Sequence, residues 1–189
     1  MKSYALFLAA LILAPVLSSA AEMRSVSVNY DDGYFYLESD AWFDVGRKAV
    51  FEVFLDWDIA GEFSSIIVEA KNVGPDGQGG MGYYIHNRGC ILFFCKSTLR
   101  NGSVTSQAYE FIRAVADPES SDFELSEESW TFRDEDGGTS VHYELKMKPD
   151  FWIPPLVGPY LIKRKLRNDG GEAIDRIEQI AQERAAQHE

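Results

Sequence analysis

Residues 139–155 read TSVHYELKMKPDFWIPP, and two periodicities meet there. Val141, Tyr143, Leu145 and Met147 point one way, and His142, Glu144, Lys146 and Lys148 the other. That alternation is a half-buried antiparallel strand with one wet face. The segment from Pro149 to Pro155 closes it, because proline lacks the N–H that a ladder needs. From Leu156 onward the period becomes helical. Leu156, Tyr160, Leu161, Ile174, Ile177, Ile180, Ala181 and Ala185 recur at helical spacing. Gly170-Gly171 interrupts the pattern, a point where the helix would kink or split.

Upstream, most segments read as strands. Residues 26–45 form one strand or two, divided at Asp31-Asp32-Gly33. Val50, Val53, Phe54 and Trp57 then fall on one helical face, with Asp44 placed to cap that helix. A short helix is expected near Ile59–Ser64, followed by strands at 66–70, 82–86 and 90–98. Asn101-Gly102 predicts a tight hairpin turn leading into a strand at 104–115. An acidic loop follows, then Trp130 and Phe132 on one strand face, then a turn at Asp136-Gly137-Gly138. Successive strands with helices early and at the end predict an α+β domain, a curved antiparallel sheet with helices on one face.

Residues 1–21 predict a cleaved signal peptide. Lys2 precedes an apolar run from Ala5 to Leu17, and Ser18-Ser19-Ala20-Ala21 offers cleavage after Ala20 or Ala21. The run is too short for a comfortable bilayer span, so a periplasmic or secreted location is expected. The chain carries a net charge of −12, which repels phosphate backbones and disfavours nucleic acid as a partner. Lys163-Arg164-Lys165-Leu166-Arg167 is a helix face within this acidic background. Cys90 and Cys95 leave two readings open. One regular strand would hold them roughly 16 Å apart, too far for a disulfide. A bulge or turn between them would allow the bond that export permits.

Three segments carry a resemblance to a known family. Residues 53–63, VFLDWDIAGEF, resemble the end of a first helix in which an Asp-aromatic-Asp stretch leads to a Phe. Trp130-Thr-Phe132 followed by residues 137–143, GGTSVHY, resembles a last hairpin. Residues 149–159, PDFWIPPLVGP, resemble the passage into a final helix. In this order they resemble the START-like (SRPBCC) superfamily, in particular its polyketide cyclase/coenzyme Q-binding (Coq10-type) branch. The resemblance covers residues 26–185. It implies a helix-grip (START-like, Bet v 1-like) fold with the sheet wrapped around a long C-terminal helix. It also implies that residues 22–189 form one ligand-binding domain with a cavity for a lipid, quinone or polyketide-like molecule.

Tyr109, Phe111, Trp130, Tyr143 and Tyr160 are the candidate ligand-binding residues, although taken one by one each reads first as ordinary core. Tyrosine hydroxyls and Arg113 are candidate polar handles, with Arg113 also readable as a sheet-edge residue. Asp56 and Asp58 flank Trp57 and read as solvated acids at a helix end. Phe151 and Trp152 are either a buried joint or a transient membrane contact. No catalytic set emerges. His86, His142 and His188 have no zinc-ligand spacing, and neither a nucleophile elbow nor a phosphate loop occurs. Asp117, Glu119, Asp122 and Glu124 lack the spacing of a calcium loop. The expected function is therefore an exported binding protein for a hydrophobic small molecule, with no metal and no cofactor. The alternatives are a cyclase or dehydratase using His86 or His142 as base, and an envelope interaction protein.

Overall fold

The computed structural model describes residues 21–77, 79–91, 94–154 and 157–187. Residues 1–20, where a signal peptide is expected, Leu156 and His188 lie outside these residues. Eight strands form one antiparallel sheet: β1 (Glu22–Asp31), β2 (Tyr34–Phe43), β3 (Ile67–Pro75), β4 (Met81–Ile91), β5 (Phe94–Gln107), β6 (Phe111–Ala116), β7 (Phe123–Glu135) and β8 (Gly138–Pro149). Their order across the sheet is β1-β2-β8-β7-β6-β5-β4-β3, so β1 and β3 are the free edges. Helix α1 (Arg47–Leu55) and a 3-10 helix (Trp57–Glu62) separate β2 from β3, and a long helix α2 (Gly158–Gln187) follows β8.

The turn chemistry explains the two hairpins that frame β2 and β8. Asp32 and Gly33 have φ of 46° and 86°, and Asp136 and Gly137 have φ of 51° and 83°. Positive φ at both central residues matches the right-handed twist of the flanking strands. Strand alternation supplies the core. Phe35, Leu37, Ala41 and Phe43 of β2 are buried, as are Trp130 and Phe132 of β7 and Val141 and Leu145 of β8. Val50, Phe51 and Val53 of α1 close over this face together with Ile174, Ile177, Ile180 and Ala181 of α2.

Four expectations need correction. Asn101-Gly102 is not a turn but lies inside β5, where Gly102 pairs with Tyr83 on one side and Ala116 on the other. A β-carbon at Gly102 would fall 2.0 Å from the Val115 carbonyl oxygen, so the glycine answers a close backbone approach. Residues 90–98 are not one strand: β4 ends at Ile91, β5 begins at Phe94, and Cys90 pairs with Cys95. That hairpin brings the two Cα atoms to 4.0 Å and the cysteines form a disulfide. Asp44 does not cap α1, whose N-cap is Gly46 without a side-chain bond. Finally, α2 runs unbroken through Gly170-Gly171.

Candidate functional site

A cavity of about 270 Å³ lies between the inner face of the sheet, the 3-10 helix and α2. This is close to the lower end of the roughly 300–1,000 Å³ typical of ligand pockets. Leu166, Gly170, Ala173, Ile174 and Ile177 form its roof, one face of α2 at spacings of four, three, one and three residues. Its walls are mostly apolar, with Phe43, Phe54, Ile85 and Val141 among them. The depression around Arg113, Glu127 and Glu144 differs, being lined largely by charged and polar side chains of the outer face.

One wall of the cavity is polar. Glu128 of β7 is only 7% exposed and shares the inward parity of Trp130 and Phe132. Its Oε1 forms an ion pair with Arg100 Nη1 of β5, and its Oε2 accepts a 2.9 Å hydrogen bond from the Tyr143 hydroxyl. Arg100 Nη1 also reaches Ser126 Oγ at 3.5 Å. Removing one partner of a buried pair strands a charge, so the pair is self-enforcing. Around it, Trp57 Nε1, Arg100 Nε, Asn87 Oδ1 and the Tyr83 hydroxyl are buried without hydrogen-bond partners among the described residues. Trp57 and Tyr83 stack with ring centroids 4.6 Å apart, so these two polar tips belong to one rigid aromatic unit. Buried polar atoms are normally satisfied, and four orphans in one region call for a partner.

The protonation of this wall is fixed by its setting. Burial pushes the Tyr143 hydroxyl well above its ordinary pKa and also raises that of Tyr83, against the opposing pull of Arg100. Both remain neutral O–H groups at physiological pH. Arg100 and Glu128 cancel each other's charge. The wall therefore offers hydrogen bonds without net charge.

Two of the five aromatics named from the sequence, Trp130 and Tyr143, face this cavity, stacked with centroids 5.2 Å apart. The other three do not. Tyr109 sits in the β5–β6 turn at φ 61° and packs against Phe51 from outside. The inward positions are the even ones, as at buried Val104 before the turn. Ile112, Ala114 and Ala116 point inward, and Phe111 and Arg113 outward. Arg113 is accordingly no polar handle and pairs with Glu127 at 3.1 Å on the surface. Tyr160 is 66% exposed near the start of α2.

The remaining candidates take structural places. Asp56 pairs with Arg184 of α2 at 2.6 Å, whereas Asp58 accepts two 3.0 Å bonds from Asn72, which hold its carboxyl below the usual range. They do not act as a pair. Asp117 caps a short 3-10 turn, Asp122 accepts from Leu99 N, and Glu124 pairs with Lys148. His142 contacts Asp40 at 2.8 Å on the outer face, and His86 shares the outward parity of β4, opposite Tyr83 and Ile85. Neither histidine reaches the cavity, which removes the base assumed for the cyclase alternative. Phe151 packs edge-on to Phe123, but Trp152 is 77% exposed.

No protein-family model matches the chain, and no curated protein matches it in sequence. Solved structures do. The Zhui aromatase/cyclase from Streptomyces sp. R1128 superposes with a TM-score of 0.65 at 10% identity, covering 80% of this chain and 96% of that one. A STAR-related lipid transfer protein from Xanthomonas axonopodis gives 0.61 at 11% identity, covering 83% and 98%. Human STARD10 gives 0.59 at 9% identity, covering 82% and 72%. The fold is the START-like helix grip. These neighbours, with a START superfamily protein from Mycobacterium smegmatis, bear out the resemblance in architecture. At such identities a START-like fold alone does not carry an activity across.

Proposed function

We propose that the protein is an exported carrier for a hydrophobic molecule with a neutral, oxygenated end, such as a lipid, quinone or polyketide-like compound. The observation that carries this reading is the apolar cavity whose lining includes three residues with unpartnered buried polar atoms, Trp57, Asn87 and Arg100. Trp57 Nε1 and Arg100 Nε donate, and Asn87 Oδ1 accepts. A carbonyl, ether or hydroxyl would satisfy them. A carboxylate has less to gain, because Glu128 already neutralises Arg100. The fold is shared with a lipid-transfer protein and an aromatase/cyclase, which fits an apolar cargo. No observation favours cyclase chemistry, since both described histidines lie on the outer face and Tyr143, which lines the cavity, stays protonated.

The apolar leader and the Cys90–Cys95 disulfide support export, because such bonds persist in oxidising compartments. Cargo exchange at a membrane fits the start of α2. Trp152, Val157 and Tyr160 are exposed there, close in sequence to the basic run from Lys163 to Arg167 in an otherwise acidic chain.

Native mass spectrometry after incubation with a total lipid extract tests the carrier reading. We expect a bound apolar species at one per chain. Ala173→Phe, which fills the cavity from its roof, should abolish it without unfolding the protein. Binding that persists in Ala173→Phe, or no bound species in the parent, would remove the carrier. Trp152→Ser with Tyr160→Ser should lower pelleting with anionic vesicles, and unchanged pelleting would remove the membrane step.

A further inference from the structure

Glu178 is the second buried carboxylate of the fold, and the cavity does not use it. It lies on the sealed side of α2 and is 5% exposed. Its Oε1 accepts a 2.7 Å hydrogen bond from the Asp44 backbone N–H, in the loop between β2 and α1. Its Oε2 accepts from the backbone nitrogen of Ala21, the residue before β1. Ala21 itself is half-buried against the main core. One side chain thus ties together α2, the β2–α1 loop and the beginning of the sheet. Among the described residues, no Lys, Arg or His side chain makes an ion pair with it. Two amide donors leave a buried carboxylate short of compensation, since burying an unpaired charge is expensive.

The sequence offers two cleavage points, after Ala20 or after Ala21, and small residues precede both. Glu178 distinguishes them. We infer that the leader is removed between Ala20 and Ala21, and that Glu178 is built to hold the α-ammonium group this creates. A signal-peptidase-class enzyme hydrolyses the Ala20–Ala21 amide with one water. The carbonyl carbon gains the oxygen and leaves as the Ala20 carboxylate. The nitrogen takes the protons and becomes the Ala21 ammonium. An amide N–H that merely donated a hydrogen bond to Glu178 becomes a full positive charge beside a buried negative one. Charge-assisted bonds of this kind are about twice as strong as neutral ones. Cleavage after Ala21 would discard the nitrogen that Glu178 contacts. Processing therefore completes the fold and clamps the C-terminal half of α2 onto the first strand. This inference rests on the export reading given above.

The export reading and the clamp can be separated by experiment. The chain is expressed with its own leader in a Gram-negative host, and the extracytoplasmic fraction is examined by intact mass. The expected mass corresponds to a chain beginning at Ala21. A chain beginning at Glu22 or later overturns the inference, even though export has occurred. Retention of the full chain in the cytoplasm overturns export, and the clamp is then decided in vitro. There, a chain starting at Ala21 with a free amine is compared with the same chain acetylated at Ala21. Acetylation should lower Tm by about 5 °C or more, as expected from loss of a buried ion pair in a chain of this size. Glu178→Gln should lower Tm similarly in the free-amine chain and add little in the acetylated one, the non-additivity expected of a pair in contact. Equal Tm values for free and acetylated chains overturn the clamp. So do additive losses, which would mean that Glu178 acts only through Asp44.

Discussion

The two halves of α2 are one continuous helix in two different environments. From Ile174 onward it is packed into the core, although Ile174 and Ile177 still border the cavity, and beyond Ile177 it is sealed. Ile174, Ile177, Ile180 and Ala181 are buried, Glu178 is bonded to two backbone segments, and Arg184 pairs with Asp56. From residue 158 to residue 173, among the described side chains, only Gly158 is buried. Tyr160 faces solvent, while Leu166 and Gly170 look onto empty volume. Helical stability comes chiefly from tertiary packing rather than propensity. The first half is therefore held by its continuity with the second and by Leu166, which packs on Val28, Leu37 and Leu145.

The polar wall beneath that roof gives the largest expected effect. Arg100→Met strands Glu128 and should cost about 4 kcal/mol in chemical denaturation. Adding Glu128→Met should recover much of this while abolishing cargo binding; a purely additive double mutant would mean the pair is not coupled. Next, Ile180→Ala in the sealed half should cost about 3 kcal/mol. The matched change Leu166→Ala, over the void, should cost less than about 1 kcal/mol. Equal losses would erase the distinction between the halves. Gly170→Ala with Gly171→Ala should stabilise the helix by about 1–2 kcal/mol, since neither position is sterically closed to a methyl. Hydrogen exchange should then slow between 160 and 168 and stay unchanged between 175 and 183. The smallest effect concerns a remote control. His142 and then Ser25, by hydrogen bonding, hold Asp40 below the usual carboxylate range. Its contribution is present above about pH 4 and is lost as the pH falls through the lower folded-state value. His142→Ala should flatten that acid limb slightly and leave the exchange contrast intact.

The sheet was readable where a single local rule governed it. β8 alternates cleanly because one face meets the core and the other water. Asp32-Gly33 and Asp136-Gly137 are turns because positive φ favours those residue types. Asn101-Gly102 carries the same signal for a different reason, backbone crowding between β5 and β6, which only three-dimensional pairing reveals. The turn between Cys90 and Cys95 has no Gly, Pro or Asn to mark it. In the site, Trp130 and Tyr143 follow from parity. Parity also held a clue that aromatic counting passed over, because Glu128 lies two residues before Trp130 on the same inward face. A carboxylate in an apolar row needs a partner, and Arg100, 28 residues upstream in the sequence, could be placed only once β5, β6 and β7 were paired. Tyr109 and Phe111 were misplaced because aromatic type was read ahead of parity: the buried residues Val104, Ile112 and Ala114 all stand at even positions.

Both outer strands of the sheet expose backbone groups that a second molecule could extend. Each is blunted. β3 carries two register breaks, and the Asp58 carboxylate occupies the Asn72 N–H on its free side. β1 is irregular between Met23 and Ser25. Open, regular edges invite neighbouring copies to add on, strand by strand, into insoluble polymers. Such interruptions keep an unclosed sheet from templating its own aggregation.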